Sequence, residues 1–162
     1  MIPVDRLSLV SSSAAKPGTL VLLRIGGPPR PMLAVAFPVG DDTVSGFLDF
    51  TPKSGQPMRV QLASSISGPL LAIDKWELLV DPESSYSARS SDPHPGDAII
   101  SSGQFGFVAV RDYSEIYIGL TGLALPEPDW VGGFGGFQKW RMVCRIEAES
   151  PPLVLVEYGR EG

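Results

Sequence analysis

Short apolar runs, separated by glycine- and proline-rich breaks, recur along the whole 162-residue chain. In residues 58–62 the apolar side chains occupy every second position, which is the period of a strand with one buried face. The same period follows Trp140, which shares its predicted face with Met142 and Cys144 while Val143 points away. Such runs are too short for surface helices, so the pattern predicts an all-β protein.

Further strands are predicted at residues 6–10, 19–25, 32–37, 43–50, 107–110 and 115–118. Two segments allow alternatives. Residues 69–81 carry an apolar stripe that also suits a helix, but we favour strand because the related stretch 132–146 begins with four glycines. Residues 153–156 are apolar on both faces, which predicts either a central strand or an edge strand covered by another chain.

Four sequence features occur twice in the same order: a Pro-Gly pair, an Ala-Val pair, a glycine before an apolar residue, and Lys-Trp. They begin at Pro17, Ala34, Gly46 and Lys75, and again at Pro95, Ala109, Gly119 and Lys139. The Ser/Pro-rich residues 82–95 separate the two sets and predict a linker. We therefore expect two similar small barrel- or sandwich-like units, residues 1–81 and 96–162, packed into one compact domain by internal duplication. The alternative is a single irregular β-sandwich with repeated turn chemistry.

A partial resemblance to a known fold lies in residues 17–35. Pro17-Gly18 leads into an apolar run, and Arg30-Pro31 leads into a second one after a Gly/Pro loop. This arrangement resembles the opening hairpin of SH3-like barrels, which include the MazF/PemK-type toxins. The resemblance implies a small barrel and adds a nucleic-acid-binding barrel to the candidate functions. The rest of the chain does not continue the pattern.

Composition narrows the class of protein. Hydrophobic residues make up 43% and charged residues 19% of the chain, which is typical of a folded protein. The net charge of −5 disfavours nucleic-acid partners and binding to anionic membranes. No apolar run approaches the ~20 residues that span a bilayer. The start of the chain lacks a signal-peptide pattern and the single Cys144 cannot form an intramolecular disulfide, so we expect a cytoplasmic location.

Motifs for catalysis or cofactors are missing from the sequence. It contains no P-loop or dinucleotide fingerprint, and one His and one Cys cannot supply a tetrahedral metal site. His94 has Asp92 and Asp97 nearby, an arrangement that can orient a general base, but a histidine in a proline-rich linker is more often simply exposed. Cys144 is interpreted as a buried, inert thiol. We therefore predict no catalytic residue, no metal and no cofactor.

Trp130, Phe134 and Phe137 are the candidate ligand-binding residues, because aromatic rings among glycines can stack on a sugar, a base or a proline. They favour a non-enzymatic binding or assembly module that acts on a protein partner or forms a homo-oligomer. The alternative is a hydrolase-like enzyme with a carboxylate site at the seam between the halves. Its candidate pairs are Asp41 with Asp42, Asp112 with Glu115, and Glu127 with Asp129.

Overall fold

The computed structural model describes residues 1–24, 26–52, 55–87, 92–128, 134–147 and 150–160. These residues form β-strands and three single-turn 3-10 helices, at Val4–Arg6, Ala63–Ser65 and Pro82–Ser84, and this part of the chain contains no α-helix. The predicted all-β class is confirmed. No helix in the described ranges is long and apolar enough to cross a membrane.

The strands fall into two sheets. In chain order they are β1 (Leu7–Ser11), β2 (Leu20–Leu23), β3 (Arg30–Val39), β4 (Asp42–Asp49), β5 (Arg59–Leu62), β6 (Pro69–Ile73), β7 (Trp76–Val80), β8 (Ser85–Tyr86), β9 (Ala98–Ser101), β10 (Gln104–Arg111), β11 (Ser114–Gly119), β12 (Ala124–Leu125), β13 (Gly136–Phe137), β14 (Lys139–Cys144) and β15 (Leu153–Gly159). The larger sheet has twelve strands in the order β1-β6-β2-β3-β4-β5-β10-β9-β13-β8, with β11 and β12 attached beyond β10. The smaller sheet has the order β15-β14-β7.

The longest hairpin joins β3 and β4 through eight residue pairs and ends with Val39 opposite Asp42. Both faces of β3 are buried, because Leu33, Val35 and Phe37 face the main core between the sheets while the alternate residues face a second apolar cluster. A nearly continuous apolar run is what a strand covered on both sides requires.

The two halves of the chain meet within the larger sheet. β5 pairs in parallel with β10, with Arg59 opposite Val110, and an isolated parallel bridge joins Ala36 to Leu123. The Ala36 amide also donates a hydrogen bond of 2.8 Å to the carbonyl of Gly122. The halves are therefore parts of one sheet whose strand order is open in the described chain, so the closed small barrel implied by residues 17–35 is not observed.

The smaller sheet has a symmetric register. Trp76 lies opposite Cys144, and Val80 lies opposite Trp140, so a local two-fold axis passes between the central pair of Leu78 and Met142. The strand interpretation of residues 69–81 is confirmed, since β6 and β7 both form there.

Trp140 is the central side chain of the main core. Its ring is 2% exposed and lies 4.9 Å from the ring of Phe107, 5.9 Å from Phe50 and 5.5 Å from Tyr158, measured between centroids. Its indole nitrogen donates a hydrogen bond of 2.7 Å to the carbonyl of Gly96. Met142 and Cys144 share this face, as their spacing predicts.

Three details differ from, or decide between, the sequence expectations. Val143 points away from the main core, but it is fully buried on the opposite face. Residues 153–156 form part of β15, an edge strand on which Val154 is 45% exposed while Val156 is buried. Within the predicted linker, Pro82–Ser84 form a 3-10 turn and Ser85–Tyr86 form β8, in which Tyr86 is buried.

Replacing Trp140 with alanine should lower the free energy of unfolding by about 3–5 kcal/mol, because it opens a large cavity in the core. Phe134→Ala should cost about 1 kcal/mol or less, since Phe134 is 45% exposed and its one ring contact within the described residues is a stack on Phe137 at 6.3 Å. Urea denaturation of both variants measures the difference. Equal, large losses would show that Phe134 is a core residue.

Candidate functional site

A buried carboxylate joins the two sheets at one end of the molecule. Asp97 is fully buried and accepts hydrogen bonds from the Tyr86 hydroxyl at 2.5 Å and the His94 amide at 3.0 Å. The Arg160 guanidinium binds it with two bonds, Nε to Oδ1 at 2.7 Å and Nη2 to Oδ2 at 2.8 Å. The Tyr158 hydroxyl approaches Oδ1 at 3.5 Å. A buried carboxylate is stable in such a setting because charge-assisted donors satisfy both of its oxygens.

Glycine is required next to this carboxylate. Gly96 has a φ of 104°, a conformation that other residues rarely adopt, and a Cβ there would overlap the ring of Tyr158. The turn also lets the Gly96 amide donate to the carbonyl of Val108 at 2.8 Å while its own carbonyl accepts from Trp140. The Pro-Gly pair at residue 95 therefore positions Asp97.

The surroundings of Asp97 change the pKa of three groups. Burial raises the pKa of Tyr158 to about 12, and the negative charge of Asp97 adds to the rise. Burial and then the hydrogen bond to Asp97 raise the pKa of Tyr86 well above its usual value. The hydrogen bonds to Asp97 raise the pKa of Arg160. Both tyrosines are neutral and Arg160 is charged at physiological pH.

A cleft of about 630 Å³ lies beside this network, lined by residues 79–81, 139–141 and 157–160. These are the end of β7, the start of β14 and the end of β15 with Arg160 following it. Gly159 leaves the cleft open, because the atom nearest to a Cβ built there is Cγ of Lys139 at 3.7 Å. The cleft therefore lies across all three strands of the smaller sheet and reaches its edge.

The charges that line this cleft are of both signs. Lys139, Arg141 and Arg160 are cationic, Asp81 and Glu157 are anionic, and Arg160 is paired with Asp97. Arg141 and Glu157 form an ion pair across β14 and β15, with Nη2 and Oε1 2.9 Å apart. Leu79 adds an apolar surface that is 37% exposed. Such a lining suits a ligand of mixed charge rather than a polyanion.

A second cleft, of about 280 Å³, lies at the seam between the halves, where β3 approaches β11 and β12. Glu115, Tyr117 and Glu127 line it together with Phe37 and Arg111. Burial raises the pKa of Tyr117, and the charges of Glu115 and Glu127 raise it further. Two carboxylates thus lie near one phenol. Asp112, the sequence partner of Glu115, does not line this cleft, and Asp129, the partner of Glu127, lies outside the described residues.

The aromatic residues predicted to bind a ligand have different surroundings. Trp130 lies outside the described residues. Phe134 is exposed and stacks on Phe137, whose ring in turn lies 6.0 Å from that of Phe105. Phe137 itself is only 5% exposed and belongs to the main core, so it supports Phe134 from below. Neither described residue lines the cleft beside Asp97.

His94, Cys144 and the candidate pair of Asp41 and Asp42 lie in different environments. The side chain of His94 is exposed, and its backbone amide, rather than its ring, contacts Asp97. Cys144 is fully buried in the core, with its sulfur 3.8 Å from the carbonyl of Asp74. Asp41 and Asp42 lie in the exposed β3–β4 turn.

Sequence reasoning missed the network around Asp97. Tyr86 lies among serines without periodicity, and Arg160 follows a strand that looks complete at Val156. The spacing of Asp97 and Arg160, 63 residues, gives no local signal of pairing. The one available hint was the Pro-Gly pair, which marks a tight turn directly before the carboxylate.

The sequence matches no protein-family model, no curated protein and no solved structure, so the class of protein rests on its fold and its clefts.

The stability of the fold should fall as pH rises above about 10. Between the unfolded tyrosine pKa of 10.0 and the folded value of about 12 for Tyr158, the folded state keeps a proton that the unfolded state releases. The stability that each such tyrosine contributes is therefore fully present below pH 10. Above pH 10 the free energy of unfolding declines by at most about 1.4 kcal/mol per pH unit for each of them.

Urea unfolding of the wild type, Tyr158→Phe and Tyr113→Phe between about pH 8 and pH 11.5 tests this. Tyr158→Phe should show a shallower decline, whereas Tyr113→Phe should follow the wild type because Tyr113 is fully exposed. Parallel curves for the wild type and Tyr158→Phe would refute the assignment.

Proposed function

We propose that this protein is a non-enzymatic binding module that holds an extended polypeptide segment of a protein partner along β15 and the cleft beside Asp97. The proposal is carried by one observation: the cleft of about 630 Å³ beside Asp97 opens onto an edge strand. Among the described strands, β15 pairs with β14 alone, so in this part of the chain one side of its backbone has no strand partner. An added strand can use these groups for affinity and the neighbouring cleft for specificity.

The side chains along this edge suit a peptide ligand. Val154 is 45% exposed at one end of β15, and Leu79 offers an apolar contact inside the cleft. Between them, the exposed charges of Lys139, Arg141 and Glu157 provide both signs. A peptide backbone with mixed side chains matches these features better than a nucleic acid does, since a nucleic acid needs a surplus of positive charge.

The chemical state of the cleft supports binding rather than catalysis. Tyr158 and Tyr86 have raised pKa values and remain protonated near neutral pH, so neither phenol provides a base or a nucleophile. Arg160 is held by Asp97, and Arg141 is held by Glu157. Catalysis commonly needs a group whose pKa lies near the working pH.

A hydrolase-like activity at the seam is the second candidate function. Its support is the cleft in which Glu115, Glu127 and Tyr117 are brought together by β11 and the segment after β12. Two carboxylates that flank one cleft are the arrangement used in glycoside hydrolysis.

An origin of the two halves by duplication is part of the proposal, because their opening turns use the same hydrogen bonds. The amide of Gly18 donates to the carbonyl of Ala34, and that of Gly96 donates to Val108, both at 2.8 Å. The symmetric register of β7 and β14 adds to this support. On these equivalences Ala34 corresponds to Val108, so the proposed match of Ala34 with Ala109 is out of register by one position. The proposed match of Gly46 with Gly119 is out of register by three positions, since Phe47 pairs with Ala34 and Tyr117 pairs with Val108.

We also propose a cytoplasmic site of action, because Cys144 has no other cysteine with which to form an intramolecular disulfide.

A homo-oligomer formed through β15 is the alternative to a peptide partner as the cover of this edge strand. Sedimentation at increasing concentration distinguishes a second copy from a foreign peptide, because a dimer changes the mass in the absence of any ligand.

Gly159→Trp should abolish peptide binding without unfolding the protein. The backbone of Gly159 is outside the left-handed region, so a side chain causes no strain there, and an indole would fill the cleft. Peptides selected from a random library against the wild type should bind the variant at least about tenfold more weakly by calorimetry. Thr43→Trp, in the distant β3–β4 hairpin, is the control. Equal binding by both variants would exclude the cleft.

The seam hydrolase predicts a different pattern. If a panel of glycoside and ester substrates reveals turnover, Glu115→Gln and Glu127→Gln should each lower kcat by about a hundredfold or more, while Gly159→Trp leaves it unchanged. His94→Ala and Cys144→Ser should also leave it largely intact. A loss of kcat confined to His94→Ala would show that the catalytic site does not lie at the seam.

A further inference from the structure

An apolar groove of about 230 Å³ lies at the outer end of β3, β4 and β5. Phe37 and Arg111 separate it from the cleft of about 280 Å³ that Glu115 and Glu127 line. Val39, Val44, Val60 and Leu62 line it. The register explains why these side chains are adjacent: Phe37 lies opposite Val44, and Leu62 lies opposite Gly46, so all of them extend the core face of the sheet. At the groove, the core face of the larger sheet extends beyond the main core.

The groove stays open because part of its apolar surface has no cover. Leu62 is 50% exposed and Val39 is 36% exposed. Gly46, opposite Leu62 on β4, has no side chain, and a Cβ there would lie 2.5 Å from the carbonyl oxygen of Gln61 and 3.1 Å from Phe37 and Val60. The concave shape is therefore built into the packing of three strands.

Arg111 closes one end of the groove. Its guanidinium carbon lies 4.8 Å from the ring centroid of Phe37, which fixes the cation over an aromatic face. Its other described contacts are long: 3.5 Å from Nη1 to the carbonyl of Pro38 and 3.8 Å from Nε to the carboxylate of Asp112.

The other arginines in described ion pairs are held more tightly. Arg141, Arg145 and Arg160 reach their carboxylates at 3.0 Å or less, and Arg30 contacts Asp49 directly. The side chain of Asp112 is 88% exposed, so water competes with it for Arg111. Arg111 is thus positioned by Phe37 but keeps hydrogen-bonding capacity for a second anion.

From these observations we propose that the groove binds a small aliphatic monocarboxylate. The alkyl chain packs against Val44, Val60 and Leu62, and the carboxylate accepts hydrogen bonds from Arg111. A volume of about 230 Å³ corresponds to about seven or eight water molecules, which is the size of an acid with about six to eight carbons. Charge complementarity selects an acid over a neutral hydrocarbon, since an arginine is the one cation that lines the groove.

The neighbouring carboxylates set the conditions of binding. Asp112 lines the groove but points into solvent, and Glu115 and Glu127 line the cleft on the other side of Arg111. Their repulsion of an anionic ligand is screened over about 8 Å at physiological ionic strength. The attraction between the proposed ligand's carboxylate and Arg111 acts over a shorter distance and beside the apolar ring of Phe37, so salt screens it less than it screens this repulsion.

Octanoate is the probe for this site, and methyl-labelled protein observed by NMR is the readout. Octanoate should shift the methyl resonances of Val39, Val44, Val60 and Leu62 and leave those of Val154 and Leu79 unchanged. Octan-1-ol should bind at least about tenfold more weakly, because it lacks the charge that Arg111 recognises.

Arg111→Gln should lower the affinity for octanoate about tenfold or more and leave the affinity for octan-1-ol unchanged. Arg145→Gln, on the smaller sheet, is the matched control and should bind octanoate like the wild type. Val44→Trp, which fills the groove, should abolish binding of both probes. Shifts spread over the whole surface, equal losses in Arg111→Gln and Arg145→Gln, or no binding of octanoate by the wild type would each overturn the proposal.

Discussion

The joining of the two sheets depends on the hydrogen bonds and the ion pair that the carboxylate of Asp97 makes. Asp97 lies directly before β9 of the larger sheet, yet two of its donors, Tyr158 and Arg160, come from the end of the smaller sheet. Burying this charge is costly unless every oxygen is satisfied, and breaking a buried pair typically costs about 3–5 kcal/mol. The stacking of Tyr158 on Trp140 connects the same group to the apolar core, so polar and apolar contacts reinforce one another.

The cleft beside Asp97 inherits its rigidity from this network. Its inner wall consists of Trp140 and Tyr158, which are fixed by core packing and by hydrogen bonds, whereas its outer surface carries the exposed charged side chains of the strands. For the proposed peptide, a rigid wall would lower the entropy lost on binding, and the charged rim would contact the peptide's side chains. The fold therefore separates the part of the site that provides shape from the part that selects charge.

Alternation and turn chemistry predicted most of the fold, because those signals are local. The strand at 58–62, the shared face of Trp140 and Met142, and the strands within 69–81 all follow from a period of two. The order of the strands in the larger sheet could not be predicted from these local signals, because the parallel pairing of β5 with β10 joins segments distant in sequence. The Asp97 network was invisible for the same reason, and Tyr86 was hidden in a serine-rich stretch whose composition indicates a linker.

The position of Arg160 also determines when the structure can form during synthesis. β15 supplies Val156 and Tyr158 to the core, and Arg160 follows it to neutralise the charge of Asp97. While the ribosome still holds this segment, Asp97 lacks its cation and β14 lacks one of its two neighbouring strands. The earlier hairpins can pair as they emerge, because their contacts are close in sequence. Closure of the two sheets, however, needs residue 160 to be free of the ribosome, so it follows the pairing of the earlier hairpins.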